Sequence, residues 1–417
     1  MKLKKILVWF RNDLRLHDNE MLVEAIAKSD GILPVYFFDP RYFEQTRYGT
    51  AKSGHIRAQF LIESVAALRA SFQSMGGDLL LISGTPEAYI PQLVEKYEIT
   101  EVYHHREVAA AETLISANVE DLLWKQKVNL KHFIGHTLYN KEDLPFPIKD
   151  IPDVFSQFKK KTERDASVKA CFEAPQEIIF IKNSEWGELP VYDYVPAYAS
   201  GGEQEGLAHL QSLLAKDSAI YVKGSSKATV VKPGFSSKLS AWLTLGCLSP
   251  RKVYWQIKAA EAKFGSNGNF NQLILGLLWR DYFRFMFKKH GNAFVKEVEL
   301  HSSLVASSEE LNDLEQWKNG LTGHVLVDQY MLQLNTSGFI PHAARLLVAT
   351  FLVYILKVNW TIGAAYFEEK LIDYAPASNW GNWAIVAGGG KDSRSKNAFD
   401  LDKQFKLLNI PQSDAVA

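Results

Sequence analysis

The chain is poor in cysteine, with two in 417 residues, and Cys171 and Cys247 stand far apart and outside any metal-ligand spacing. That argues against a disulfide framework and against an iron-sulfur site, and no metal centre is expected. It also lacks an excess of either charge: 47 basic residues face 47 acidic ones. Proteins that live on phosphate backbones usually carry a basic excess, so composition gives no support to nucleic-acid binding and leaves only a local patch open. No apolar run approaches the ~20 residues needed to cross a bilayer. The start, Met1-Lys2-Leu3-Lys4-Lys5, leads into a short strand pattern instead of a signal-peptide core, so no membrane partner and a cytoplasmic location are expected. No GxGxxG follows the first apolar run, so the dinucleotide-binding fingerprint is missing.

What is present is apolar content of 47%, charged content of 23%, and a length that favours two cores over one. In the first 135 residues two periods alternate. Lys5 to Phe10, Ile32 to Asp39, Asp78 to Ser83, Glu101 to His105 and Asn129 to Ile134 are short, apolar and rich in β-branched or aromatic residues, which predicts strands. Amphipathic stretches at Asn19 to Lys28, Ser53 to Met75, Pro86 to Tyr97 and Ala109 to Lys127 predict the helices between them. The alternation implies a doubly wound parallel-sheet α/β domain over 1–135, with ligands bound beyond the carboxyl ends of its strands. Residues 136–202, with Leu144-Pro145-Phe146-Pro147 and the Lys159-Lys160-Lys161 run, read as a connector draped on the surface. From 203 to 410 the period is helical almost throughout, including Asn269 to Lys289 and Pro341 to Lys357, which predicts an all-helical second domain.

Three segments of that helical half carry chemistry. Leu371 to Arg394 holds Trp380, Trp383, Asn379, Asn382 and the run Gly388-Gly389-Gly390, a mixture that helix propensity disfavours and that suits the wall of a flat, polar, aromatic ligand. Ser236, Ser237, Lys238, Leu239 and Ser240 gather hydroxyls and a lysine at a helix start, where free N–H groups and the macrodipole suit a pyrophosphate; a plain serine cap is the competing meaning. Around Trp279, the pairs Arg280/Arg284 and Trp279/Phe283 fall at i, i+4, giving one cationic and one aromatic stripe.

These segments, with Thr336 to Arg345, the opening Trp9-Phe10-Arg11-Asn12-Asp13 and His105-Arg106-Glu107-Val108, resemble the photolyase/cryptochrome family, and most closely its DASH-type branch. The resemblance runs from about Lys4 to Lys403. It implies noncovalent FAD in the helical domain, contacted by Tyr221, Ser236 to Ser240, Trp279, Arg280, Arg345, Asp373 and Asn379. Arg345 would pair with Asp373 beside the isoalloxazine, Asn379 would stand by flavin N5, and Trp383 and Trp360 would be the inner members of an electron path. Glu107 would touch a folate antenna such as methenyltetrahydrofolate.

The family pattern also fails in places. In repair-competent relatives a glutamate, an asparagine and an arginine hold a flipped-out pyrimidine dimer. Here Gly276, His342 and Ala343 occupy those positions, and the charge-assisted contacts that would hold the lesion are gone. Ala375 replaces a second aspartate, and no tryptophan stands near Ser307, where the outermost electron donor is expected, leaving Trp317 or a tyrosine to substitute. His342 matches a histidine of the (6-4) photolyases and would suit proton transfer, but the second histidine of that group is Leu346. Two functions follow: light-driven repair of pyrimidine dimers, preferably in single-stranded DNA, or photosensory and redox signalling through a protein partner.

Overall fold

In the computed structural model the described residues are 3–216, 218, 220–221, 236–291, 293 and 308–388. Ser307 and the residues from Gly389 to Arg394, quoted above, lie outside them.

The five predicted strands form as β1 (Lys5–Phe10), β2 (Gly31–Phe38), β3 (Leu80–Ser83), β4 (Glu101–His105) and β5 (Asn129–Phe133), in one parallel sheet of order β3-β2-β1-β4-β5. Because side chains alternate across a strand, each strand feeds two cores. Ile6, Val8 and Phe10 pack under α1 (Glu20–Lys28) and α2 (His55–Ser74), in the same cluster as Met21, Phe60 and Phe72. Leu7 and Trp9 face α3 (Pro86–Tyr97) and α4 (Ala110–Lys125), with Ile90, Leu93 and Val119. Strand order reverses between β1 and β4, so the turns after Phe10 and His105 open into one crevice.

The connector differs from its expected surface drape. It contributes α5 (Phe155–Asp165), which buries Phe155, Phe158 and Thr162 against the main core, together with Leu138, Tyr139 and Ile151. The lysine run hid this pattern: it lies on the outer face of α5, where Lys159 pairs with Glu163 one turn on.

The helical half contains α6 (Glu203–Leu214), α7 (Ser240–Thr244), α8 (Pro250–Phe264), α9 (Gly268–His290), α10 (Ser308–Asn319), α11 (Val325–Ser337), α12 (His342–Thr350), α13 (Trp360–Lys370) and α14 (Pro376–Val386). Two differences from the periodic reading stand out. The stretch Pro341 to Lys357 is not one helix: α12 gives way to a π turn over Phe351–Ile355. Within the glycine- and asparagine-bearing segment, Pro376–Val386 form a regular helix, α14, and Gly381 lets it approach α9; a Cβ there would lie 2.4 Å from the Phe283 ring.

The motif after β1 clamps the two halves together. Arg15, fully buried, donates to the carbonyls of Gly246 (2.8 Å), Gly135 (2.9 Å) and His17 (3.0 Å). Asp18 pairs with Arg251 and His17 with Glu203. No helix among the described residues is long and apolar enough to cross a membrane.

Candidate functional site

Arg345 sits in the first turn of α12, whose start is set by Pro341, and reaches across to the segment leading into α14. Its Nη2 donates to Asp373 Oδ2 at 2.8 Å and its Nε to the Ile340 carbonyl at 2.9 Å. Thr244, at the end of α7, donates its hydroxyl to the Asp373 carbonyl at 3.1 Å, so the serine-rich helix start and the ion pair belong to neighbouring walls. Asp373 is buried, and its Oδ1 has no partner. A buried carboxylate oxygen without a donor is costly, which points to a donor brought by a ligand.

One turn into α14, Asn379 is 8% exposed and donates to the Ala364 carbonyl at 3.0 Å, leaving its side-chain oxygen as an acceptor. Asn379, Arg345, Asp373, His342, Asn382 and Trp383 line a single cavity, with Leu346 and Ala375. Trp383 is nearly fully buried and packs on Gly363 of α13, where a Cβ would stand 2.4 Å from its Cη2. The donors and acceptors of this lining, around about 70 Å³ of open space, match the N–H and carbonyl edge of a flat ring such as an isoalloxazine.

The other expected residues are placed as follows. Trp360 is buried on α13 in edge contact with Trp380, ring centroids 5.8 Å apart. Ser240 opens α7, Leu239 is core, and Lys238 is exposed with φ +55°. Ser236 and Ser237 are half-buried, and the Ser237 carbonyl is bonded to His209 at 2.8 Å. Arg280 stays behind that wall, donating to the carbonyls of Leu243 (2.8 Å) and His136 (3.2 Å), with its pKa lowered to about 10 by burial. Tyr221 packs on Phe264 and Phe270, and its hydroxyl donates to the Leu214 carbonyl at 3.1 Å, away from the Arg345–Asp373 pair. Trp279 stacks face to face on Phe155 at 3.4 Å and tilts against Phe283. Gly276 is exposed on α9, and a Cβ there would meet nothing within 4 Å.

A second cavity, of about 630 Å³, fills the crevice beyond β1 and β4 and is closed on the helical side by Trp380 and Tyr374. Glu107 lines it, but as the centre of a buried cluster: it accepts from Asn12 (2.9 Å) and Arg284 (2.9 Å), with His136 at 3.3 Å. Burial works against that charge, and the neighbouring His136, Arg284 and Arg11 outweigh it, so Glu107 stays well below the usual carboxylate range. Sequence reasoning passed over Glu112, Arg57 and Glu368 of this cavity. They come from α2, α4 and α13, and no local spacing could have joined them.

Residues 6–177 match the DNA photolyase domain, and residues 273–409 match the FAD binding domain of DNA photolyase. The chain belongs to the photolyase/cryptochrome family. Cryptochrome DASH of Gloeobacter violaceus is 39% identical over 97% of this chain and 83% of its own length, and that of Synechocystis is 40% identical over 96% and 84%. The solved Synechocystis cryptochrome superposes with a TM-score of 0.89 at 39% identity, covering 98% of this chain and 87% of that one. A class III photolyase from Agrobacterium tumefaciens, 24% identical with a TM-score of 0.80, shares the fold. This family member is therefore a DASH-like FAD flavoprotein, with an α/β domain followed by a helical FAD-binding domain.

Proposed function

We propose that this chain is a blue-light redox flavoprotein of the cytoplasm that signals through a protein partner and does not repair pyrimidine dimers efficiently. The single observation that carries this reading is the bare face at Gly276, where α9 presents open space in place of a carboxylic acid. The Ala343 methyl, where the resemblance puts a guanidinium, agrees with it. A lesion held without charge-assisted hydrogen bonds loses the strongest contacts available to it and the donors that would steady its radical anion.

When bound, FAD supplies one-electron chemistry: it takes an electron when excited in the oxidised form and gives one when excited in the reduced form. The residues in hand support such a role. Arg345 and Asp373 hold a charge pair against the ring site, Asn379 offers an amide to it, and Trp383 is the buried indole at its edge. The larger cavity, with Trp9, Tyr42, Arg11 and Arg41 on its walls, fits an aromatic anion, and we assign the folate antenna to it. Glu107 would act there through Asn12 and Arg284, since those partners already occupy its oxygens.

A second reading keeps repair with altered chemistry. His342 lines the flavin cavity from the exposed start of α12, where an imidazole could move a proton. The test is illumination of the reduced protein with thymine-dimer oligonucleotides, single and double stranded. No recovery of intact thymine absorbance under strongly reducing conditions is expected. Efficient recovery, in single strands above all, would establish a DNA-binding photolyase and overturn the signalling reading.

A further inference from the structure

Position 307, where the resemblance expects the outermost tryptophan, is serine, and every tryptophan and tyrosine of this chain lies among the described residues. The ring contacts around Trp383 and Trp360 offer two ways outward. From Trp383 one branch passes to Trp317 (6.5 Å between centroids) and on to Tyr366 (5.6 Å). It ends inside the protein: Trp317 has no exposed surface, and the ammonium groups of Lys318 and Lys370 lie 5.9 and 5.3 Å from the Tyr366 ring. Cations over a ring make removal of its electron harder.

The other branch opens. Trp360 meets Trp380 at 5.8 Å, and Trp380, half-buried, lines the 630 Å³ cavity. Its indole Nε1 donates to the Tyr374 hydroxyl at 3.2 Å, and the Glu368 carboxyl is the charged neighbour of that hydroxyl, each acting on the other's ionisation. Arg57 fixes this corner, with its guanidinium 4.4 Å over the Tyr374 ring and Nη1 on the Glu368 carbonyl at 2.8 Å.

We propose that Trp380 is the outer electron donor of the photoreduction path, with Tyr374 and Glu368 as the exit for its indole proton. The proposal rests on the reading of the chain as a light-driven redox flavoprotein. One electron moves inward per event: in the order the family resemblance implies, the vacancy on Trp383 is filled from Trp360, and across the 5.8 Å contact that on Trp360 is filled from Trp380. The Trp380 radical cation then breaks its N–H bond. The proton goes to the Tyr374 oxygen while the Tyr374 hydroxyl proton goes to Glu368, leaving a neutral indolyl radical. A small thiol entering the cavity returns one hydrogen atom, electron and proton together, to Trp380. Its thiyl radicals pair as a disulfide, and Glu368 releases its proton to water. Burial holds Glu368 above the usual carboxylate range, which makes it the stronger base.

The test uses the FAD-loaded full chain under blue light without thiol, in the presence of a nitroso spin trap, with the adduct located by peptide mass spectrometry. The adduct is expected on Trp380 and is expected to persist in Trp317→Phe. Photoreduction in the presence of thiol should slow about tenfold or more in Trp380→Phe and stay unchanged in Trp317→Phe. Glu368→Gln should leave the first electron step intact while the transient spectrum remains that of the tryptophan radical cation. An adduct on Trp317 or Tyr366, an unslowed Trp380→Phe that binds FAD, or prompt neutral radical in Glu368→Gln would overturn the assignment. A wild-type chain that binds FAD but shows no photoreduction would overturn the redox reading itself, and the proposal with it.

Discussion

Arg345 meets Asp373 through one 2.8 Å ion pair and leaves the second carboxylate oxygen of Asp373 buried and bare. An arginine aligned only for its partner would have used both oxygens, as Arg251 does on Asp18. The bare oxygen marks the ligand's side of the pair. Replacing Asp373 with Asn removes a charged acceptor, a loss of about 1.5–3 kcal/mol, which corresponds to roughly a tenfold or greater rise in Kd. Titration of apoprotein with FAD, followed by flavin fluorescence, measures it. An unchanged Kd would remove Asp373 from the ring site.

The Asp18–Arg251 pair has the opposite geometry and a different task. Nε and Nη2 of Arg251 reach Asp18 Oδ2 and Oδ1 at 3.0 and 2.7 Å, and both residues are buried where the helical half meets the sheet. Arg251→Met takes the charged partner from a buried carboxylate, leaving it the Ser249 hydroxyl and the Phe172 N–H as donors, and should cost about 3–5 kcal/mol. Arg251→Lys should recover part of that at most, because an ammonium cannot match the two-pronged contact. Urea unfolding of the three proteins decides it, and a Met variant as stable as wild type would show the pair to be dispensable.

Period and punctuation made the sheet legible. Lys5 to Phe10 and Glu101 to His105 could be bounded to the residue because strands buried on both faces are short apolar runs between turns. Helix α10 was not legible: SEELNDLEQWKN offers only Leu314 and Trp317 as buried anchors, too few to show a period. The ion pair of Arg345 with Asp373 was reached through likeness to a family, since nothing in a spacing of 28 residues announces contact. The placement of Tyr221 and Trp279 shows the converse. Their side chains make good local contacts with Phe264, Phe270 and Phe155, and a motif says nothing about such competitors.

Gly363 tests the seat of Trp383. Alanine improves helix propensity by about 1 kcal/mol, but its Cβ would fall 2.4 Å from Trp383 Cη2 and 2.5 Å from Leu352 Cδ2. Overpacking of a buried contact costs about 1–3 kcal/mol, so the clash should win. Gly363→Ala is expected to melt lower and to photoreduce more slowly, because relief requires the indole to move. A higher melting temperature with unchanged photoreduction would mean that Trp383 does not depend on this contact.

Glu112 carries a pH signature opposite in sign to that of Glu107, whose lowered pKa adds stability that is lost only as pH falls below the usual carboxylate range. Burial first, and then the charge of Glu107, push Glu112 up to about 7, against the pull of Arg11 and Arg284. Unfolded, the same carboxyl ionises near ~4.3. A group whose folded pKa is raised adds no penalty below the unfolded value, and its cost grows as pH rises until the folded pKa is passed. Glu112→Gln, which keeps the shape and cannot ionise, should therefore match wild type near pH 4, gain on it steadily between about 4.3 and 7, and hold an advantage of roughly 4 kcal/mol above pH 8. Unfolding midpoints across that range measure the difference. A gap that stays constant with pH would show that Glu112 ionises normally and that the carboxylates of this cavity do not oppose one another.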